Sequence, residues 1–269
     1  MPSTDYQPNY TLGRGELWFA DFVSGTREPG GYRYIGNTPE FNATVENEEL
    51  PHYNSDHGIR EKDESISLQT DRSATFITDH ISPENIALFF LGSSALTTIV
   101  AATVDDEEID GVIPGLSYSL GQTPANPLGA GLLEAYTPGT ANIIVTNEAG
   151  DTTYVEDTDY KITMTLGFLE VLSGGSIASG SKIKVSYKIA SGSQTRIISG
   201  SQPIEGSMKF IADNPAGKNR DWLMPWVKLT PNGDFALKGD EWQEIPFSVE
   251  ILKGANKQAI YITDRVTAS

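Results

Sequence analysis

Apolar and polar residues alternate along several short stretches of this chain, and helical spacing of apolar residues is almost absent. Phe41, Ala43 and Val45 alternate with polar neighbours, and Ile66 and Leu68 resume the pattern after a long polar interval. Such a pair of runs predicts a β-hairpin with an extended tip, one face buried and the other in water. Glu16–Phe22 is apolar and aromatic, and Ala74–Thr78 makes a further strand. Between Asn142 and Ile189 the segments NIIVTN, TTYV, YKITMT, FLEVL and KIKVSYKI are separated by short turns, a spacing that predicts a small sandwich. Strand signals return at Met208–Phe210, Trp222–Leu229, Phe235–Leu237, Ile245–Leu252 and Ala259–Thr263, with a strong turn at Pro231-Asn232-Gly233-Asp234.

One helix is predicted, over Pro83–Leu91. Ser82 suits the N-cap, Pro83 the first helical position, and Glu84 complements the helix dipole. Ile81 and Ile86 stand at the hydrophobic-staple positions, and Ile86, Phe89 and Phe90 share a face that packs on a sheet. Gly92 is placed to end the helix in the left-handed conformation. An acidic stretch, Asp105–Asp110, and a Gly/Pro-rich passage, Gly111–Gly139, have linker composition, as does the Ser/Gly-rich Ala190–Gln202. Residues 104–200 therefore read as a module inserted between 1–103 and 201–269, which together make one domain. The expected fold class is mainly β: a β-sandwich or barrel-like domain with one short helix, plus an inserted small β-sandwich.

Composition narrows the function. With 26 glycines and 15 prolines, turns are plentiful. The absence of cysteine excludes disulfides, thiolate nucleophiles and cysteine metal sites. A net charge of −17 leaves too few lysines and arginines for a nucleic-acid groove, and suits a surface that nucleic acid passes without sticking. The opening MPSTDYQPNY has neither a basic nor an apolar segment of a secretory signal, and no apolar run is long enough to span a bilayer, so synthesis in the cytoplasm and no membrane partner are expected.

The candidate chemistry centres on the polar interval Glu46–Glu64, ENEELPHYNSDHGIREKDE, which carries seven carboxylates and two of the three histidines. As a loop it admits two readings, a metal site or a docking arm. His52 and His57 are five apart, whereas the helical zinc motif places them four apart, and Pro51 and Gly58 leave no rigid scaffold to orient ligands. The docking reading is the stronger, and no cofactor or metal is expected. Asp106-x-Glu108-x-Asp110-Gly111 begins like a calcium loop, but Ser117 falls where the bidentate acid belongs, so it reads as a charged linker. Gly13-Arg14-Gly15 and Gly129-Ala130-Gly131 are incomplete as phosphate loops, no Gly-x-Ser-x-Gly elbow is present, and His80 reads as structural. An enzyme is not expected. An exported adhesin or carbohydrate-binding module remains an alternative, motivated by the Asn142–Ile189 segment and the acidic surface.

Three stretches, in order, resemble the major tail tube proteins of long-tailed bacteriophages. They are LGRGELWFADF with GYRYIGNTPEFNATVENEEL, then EKDESISLQTDRSATFITDHISPENIALFFLG, then GSMKFIADNPAGKNRDWLMP with KLTPNGDFAL and FSVEIL. The segment from Thr146 to Ile189 looks like a β module of phage tail and baseplate proteins. The resemblance implies rings, commonly hexameric, stacked into a tube that conducts DNA during ejection. The tube would also meet tape measure, terminator and baseplate proteins, and the chain would reside in the virion tail. It further implies that the loop contacts the adjacent ring through Glu46, Glu48, Glu49, His52, Tyr53, Asp56, His57, Arg60 and Lys62. Met1–Leu12 and Thr263–Ser269 would act as arms, and the inserted module would decorate the exterior.

Overall fold

A computed structural model describes residues 10–56 and 58–265 of the chain. The protein is mainly β, with several sheets and one helix among the described residues. In chain order the first elements are β1 (Gly15–Asp21), β2 (Arg33–Tyr34), β3 (Glu40–Asn54), β4 (Glu61–Thr78), α1 (Pro83–Phe89) and β5 (Ser93–Ile99). They are followed by β6 (Ala102–Val112), β7 (Ser117–Ser119), β8 (Leu133–Glu134), β9 (Ile144–Asn147), β10 (Tyr160–Thr163), β11 (Phe168–Val171) and β12 (Ser181–Ile189). The last are β13 (Gly192–Ile198), β14 (Ile204–Ala212), β15 (Arg220–Pro231), β16 (Ile245–Ile251) and β17 (Tyr261–Asp264). The chain divides into two units, Met1–Ala95 with Arg196–Ser269, and Leu96–Thr195. These borders, 95/96 and 195/196, fall a few residues before those expected from composition, 103/104 and 200/201. Both "linkers" hold strands: Asp105–Asp110 lies within β6, and β13 runs through the Ser/Gly-rich return and pairs with β5.

The larger unit is one eight-stranded sheet in the order β2-β1-β14-β15-β16-β4-β3, with β17 also on β15. Alternation decides its inner face: Ile245, Phe247, Val249 and Ile251 of β16 are buried while their neighbours are not. They meet Leu17, Phe19, Phe76, Met208, Met224 and Val227 in one core. Phe76 and Phe247 are directly paired across β4 and β16, with ring centroids 4.8 Å apart. Pro225, which lacks an N–H for a central ladder, sits in an irregular step of the β14–β15 register. Residues 263 and 264, expected in a terminal arm, lie instead in β17, and Arg265 donates to Asp221. Of the expected N-terminal arm, Leu12 bridges to Ala216, while residues 1–9, like 266–269 of the C-terminal arm, lie outside the described residues.

The helix lies on the core face of this sheet. Ser82 Oγ accepts the Asn85 N–H at 3.2 Å, as its N-cap position requires. The buried positions are Asn85, Ala87, Leu88 and Phe89, whereas Phe90 is exposed, so the apolar face differs from the expected one. Buried Asn85 is satisfied by donating to Ile35 O and His80 O and accepting from Arg33. Leu91, not Gly92, takes the left-handed conformation, at φ 53°. Gly92 is needed for space, since a Cβ there would stand 1.8 Å from Ile198 O.

The smaller unit packs the sheet β10-β11-β7 with a sheet in which β12 pairs β6, β8 and β9. Tyr160, Leu169 and Val171 from one sheet and Val145, Ile183, Val185 and Tyr187 from the other fill a single core. Burial pushes the Tyr160 phenol up to about 12, so it stays protonated. Asp159, nearly buried, accepts the Val155 N–H at 2.8 Å and the Ser176 N–H at 2.6 Å. Those backbone donors favour its ionised form and hold its pKa below the usual value. Lys182 reaches Asp110 at 3.0 Å, Glu108 at 3.2 Å and Glu148 at 3.9 Å, so the stretch expected as a charged linker is a strand whose acids share a lysine.

Replacing Phe89 by Ala removes a ring in contact with Phe90, Phe235 and Phe247. It is expected to lower unfolding free energy by about 3–5 kcal/mol in a urea titration, and a change under about 1 kcal/mol contradicts the packing described. For Asp159 the folded pKa is depressed, so its contribution is complete above the unfolded value of about 4 and is lost as pH falls through the folded value. Asp159→Ala is expected to cost about 1–3 kcal/mol at neutral pH and to flatten the acid limb of the stability profile. An unchanged acid limb contradicts this role.

Candidate functional site

The interval Glu46–Glu64 is not a loop. β3 runs to Asn54 and β4 starts at Glu61, so only six residues, 55–60, connect them. Register shifts between Glu48/Glu49 and His52/Tyr53 place one extra residue each, Leu68 and Asp63, on β4. Pro51 sits opposite Ser65 on the edge strand β3, where a missing N–H costs no ladder.

The support for this hairpin ends early. β16 pairs with β4 only from Ser73 to Thr78. Beyond that point, β3 and β4 pair only with each other, from Val45–Arg72 to Asn54–Glu61. This ribbon is about 30 Å long at the usual strand rise. The alternation that predicted burial continues along it, yet Val45 (58%), Leu50 (57%), Ile66 (57%) and Leu68 (59%) are all exposed. The expected buried face therefore holds only at the root, where Ala74 and Phe76 are covered.

Because paired residues share a face, the register sorts the expected contact residues into two sets. One face carries Val45 opposite Arg72, Glu49, and Tyr53 opposite Lys62. Here charges are matched: Glu49 accepts from Ser65 Oγ at 2.8 Å and lies 3.6 Å from Lys62 Nζ, and Arg60 lies over the Tyr53 ring at 5.3 Å. The Ser65 hydroxyl, with Lys62, holds the Glu49 pKa below the usual value. The other face carries Glu46 opposite Asp71, Glu48 opposite Gln69, Leu50 opposite Ile66, and His52 opposite Glu64. It is acidic around an apolar pair, with like charges directly opposed at Glu46–Asp71.

His52 Nδ1 lies 2.5 Å from Asp63 Oδ1, and that hydrogen bond holds Asp63 below the usual carboxylate range. The histidine thus serves the bulge. Asp56 donates its backbone N–H to Asn54 Oδ1 within the turn, and His57 lies outside the described residues. Among the described residues, no three of His, Cys, Asp and Glu stand as a metal-holding group. Val45, Leu50, Ile66 and Leu68 are surface residues that the alternation pattern alone does not identify. Their signal was present, as an apolar alternation running on into an acid-rich stretch. A second exposed apolar feature is Trp242 (94%) with Leu237, between β15 and β16.

Residues 10–260 match the family described as Protein of unknown function UCP028589. No curated protein matches the chain.

Proposed function

The chain belongs to that family, whose description names no activity, and we propose from its geometry that it is a self-assembling structural subunit, a phage tail tube protein. Its rings, of six copies by the resemblance, stack into the channel through which viral DNA leaves. The carrying observation is the ribbon: about 30 Å of paired strand with exposed apolar side chains and, among the described residues of its own unit, no further strand beside it. An isolated two-stranded ribbon is marginally stable in water, and exposed apolar groups on it favour a partner surface. The adjacent ring is that partner in this reading.

Further features support it. β2 and β3 stand at opposite ends of the larger sheet's strand order, and unlike edges joined head to tail close a ring, while stacking leaves an open tube. An excess of 36 acidic over 19 basic residues disfavours retention of a polyanion, as a DNA conduit requires. In this proposal the protein is not an enzyme, works in the virion tail, and contacts tape measure, terminator and baseplate proteins at the tube ends.

Replacing Leu50 and Ile66 together by Ser is expected to leave subunit stability within about 0.5 kcal/mol, because both side chains already face solvent. In negative-stain electron micrographs the unaltered protein is expected as stacked tubes and the variant as unstacked rings. Monomers of the unaltered protein under all ionic conditions, or normal tubes from the variant, contradict the proposal.

A further inference from the structure

The ribbon's acidic face needs a receiving surface, and one cavity of the larger unit has the matching chemistry. Lysine and arginine are scarce here, and most in this unit are engaged, as Lys257 is with Glu28 and Arg27 is with the Trp226 ring. Arg72 and Lys253 differ: among the described residues neither has an acid within ion-pair distance or a hydrogen-bond partner. Both line one cavity of about 320 Å³ with Gln258, over Ala259 and Ile260. Two cations sharing a cavity repel each other, and an anion placed between them removes that cost. Arginine offers a fork that fits a carboxylate bidentately, lysine adds a point charge, and the Gln258 amide adds a neutral donor.

We propose that Arg72, Lys253 and Gln258 form a carboxylate-binding site that takes the acidic ribbon face of a second copy of this chain. The proposal rests on the reading of the ribbon as a contact between copies. The matching face has Glu46, Glu48, Glu64 and Asp71 around the Leu50–Ile66 pair. None of these acids is within ion-pair distance of a described base, and Glu46 and Asp71 repel across the ladder. Ile260 and Ala259 provide an apolar floor for Leu50 and Ile66. The contact is between molecules for a geometric reason. Arg72 pairs with Val45 and so lies on the face opposite Glu46, and a ribbon cannot turn its acidic face onto a cavity at its own root. The interface is heterologous, joining different patches of two copies and propagating from one to the next.

The test is a charge-swap experiment read by sedimentation velocity, with circular dichroism and thermal unfolding confirming that each variant is folded. The pair Arg72→Glu with Lys253→Glu, and separately the pair Glu46→Lys with Glu64→Lys, are each expected to weaken self-association by about a hundredfold. An equimolar mixture of the two variants is expected to associate again, because each reversed cavity then meets a reversed ribbon. If the ribbon pair disperses the copies and the cavity pair does not, the cavity assignment is overturned while the ribbon reading stands. Should neither pair disperse them, or the unaltered chain remain monomeric, the ribbon reading falls and the proposal with it. A mixture that stays dispersed overturns the match between the two surfaces. If glutamate at position 72 prevents folding, Arg72→Gln with Lys253→Gln is expected to weaken association about tenfold and reduce its salt dependence, and an unchanged affinity overturns the proposal.

Discussion

β4 has a strand on each side for only a few residues near its end, Ser73–Ile77, and the character of the larger unit follows from that limit. Within those residues Ala74 and Phe76 are buried, and the Phe76 ring stacks on Phe247. A stacked, fully buried aromatic pair fixes register, because a slip by one residue would turn the whole strand inside out. Outside them, the same strand and its partner β3 continue as a ribbon that no other described strand of their unit pairs with. One strand therefore serves as core at one end and as projecting surface at the other.

The chemistry of the ribbon follows its exposure. The face with Glu49, Tyr53, Arg60 and Lys62 is matched in charge, so it has little need of an outside partner. Across the ladder, the acidic face leaves its carboxylates without bases and its Leu50–Ile66 pair in water. Interfaces combine an apolar centre with a polar rim, and this face has that layout in strand form. The cavity at Arg72 and Lys253 supplies the opposite charge on the opposite side of the same strands. An assembly built from such a pair of surfaces has a direction, as a stack does.

Much of the fold was legible in the sequence where the signal is local. Ser82, Pro83 and Glu84 announced the helix start, and the alternation in Ile245–Leu252 and Lys182–Ile189 announced central strands. What was not legible depends on distant neighbours. Val45 and Ile66 alternate as core residues do, but burial requires β16 alongside, and the pairing of β16 with β4 stops at Ser73. The ribbon read as a loop because acids have low strand propensity and Pro51 usually interrupts strands. Gly92 read as a left-handed terminator, yet its constraint is the Ile198 carbonyl, remote in sequence. For the candidate site, the interval was found and its pairing was not. The cavity was invisible, since it joins Arg72 to residues 253–260.

The ribbon is unsupported in the single subunit and, in the proposed assembly, covered by a second copy. Hydrogen–deuterium exchange on dispersed and assembled protein tests it most directly. In dispersed subunits, amides of 45–54 and 61–72 are expected to exchange far faster than those of β16, because a two-stranded ribbon opens locally at little cost. On assembly they are expected to slow by at least about an order of magnitude, while β16 changes little. Exchange in the ribbon that is unaltered by assembly, or already as slow as β16 in the dispersed subunit, would contradict the account.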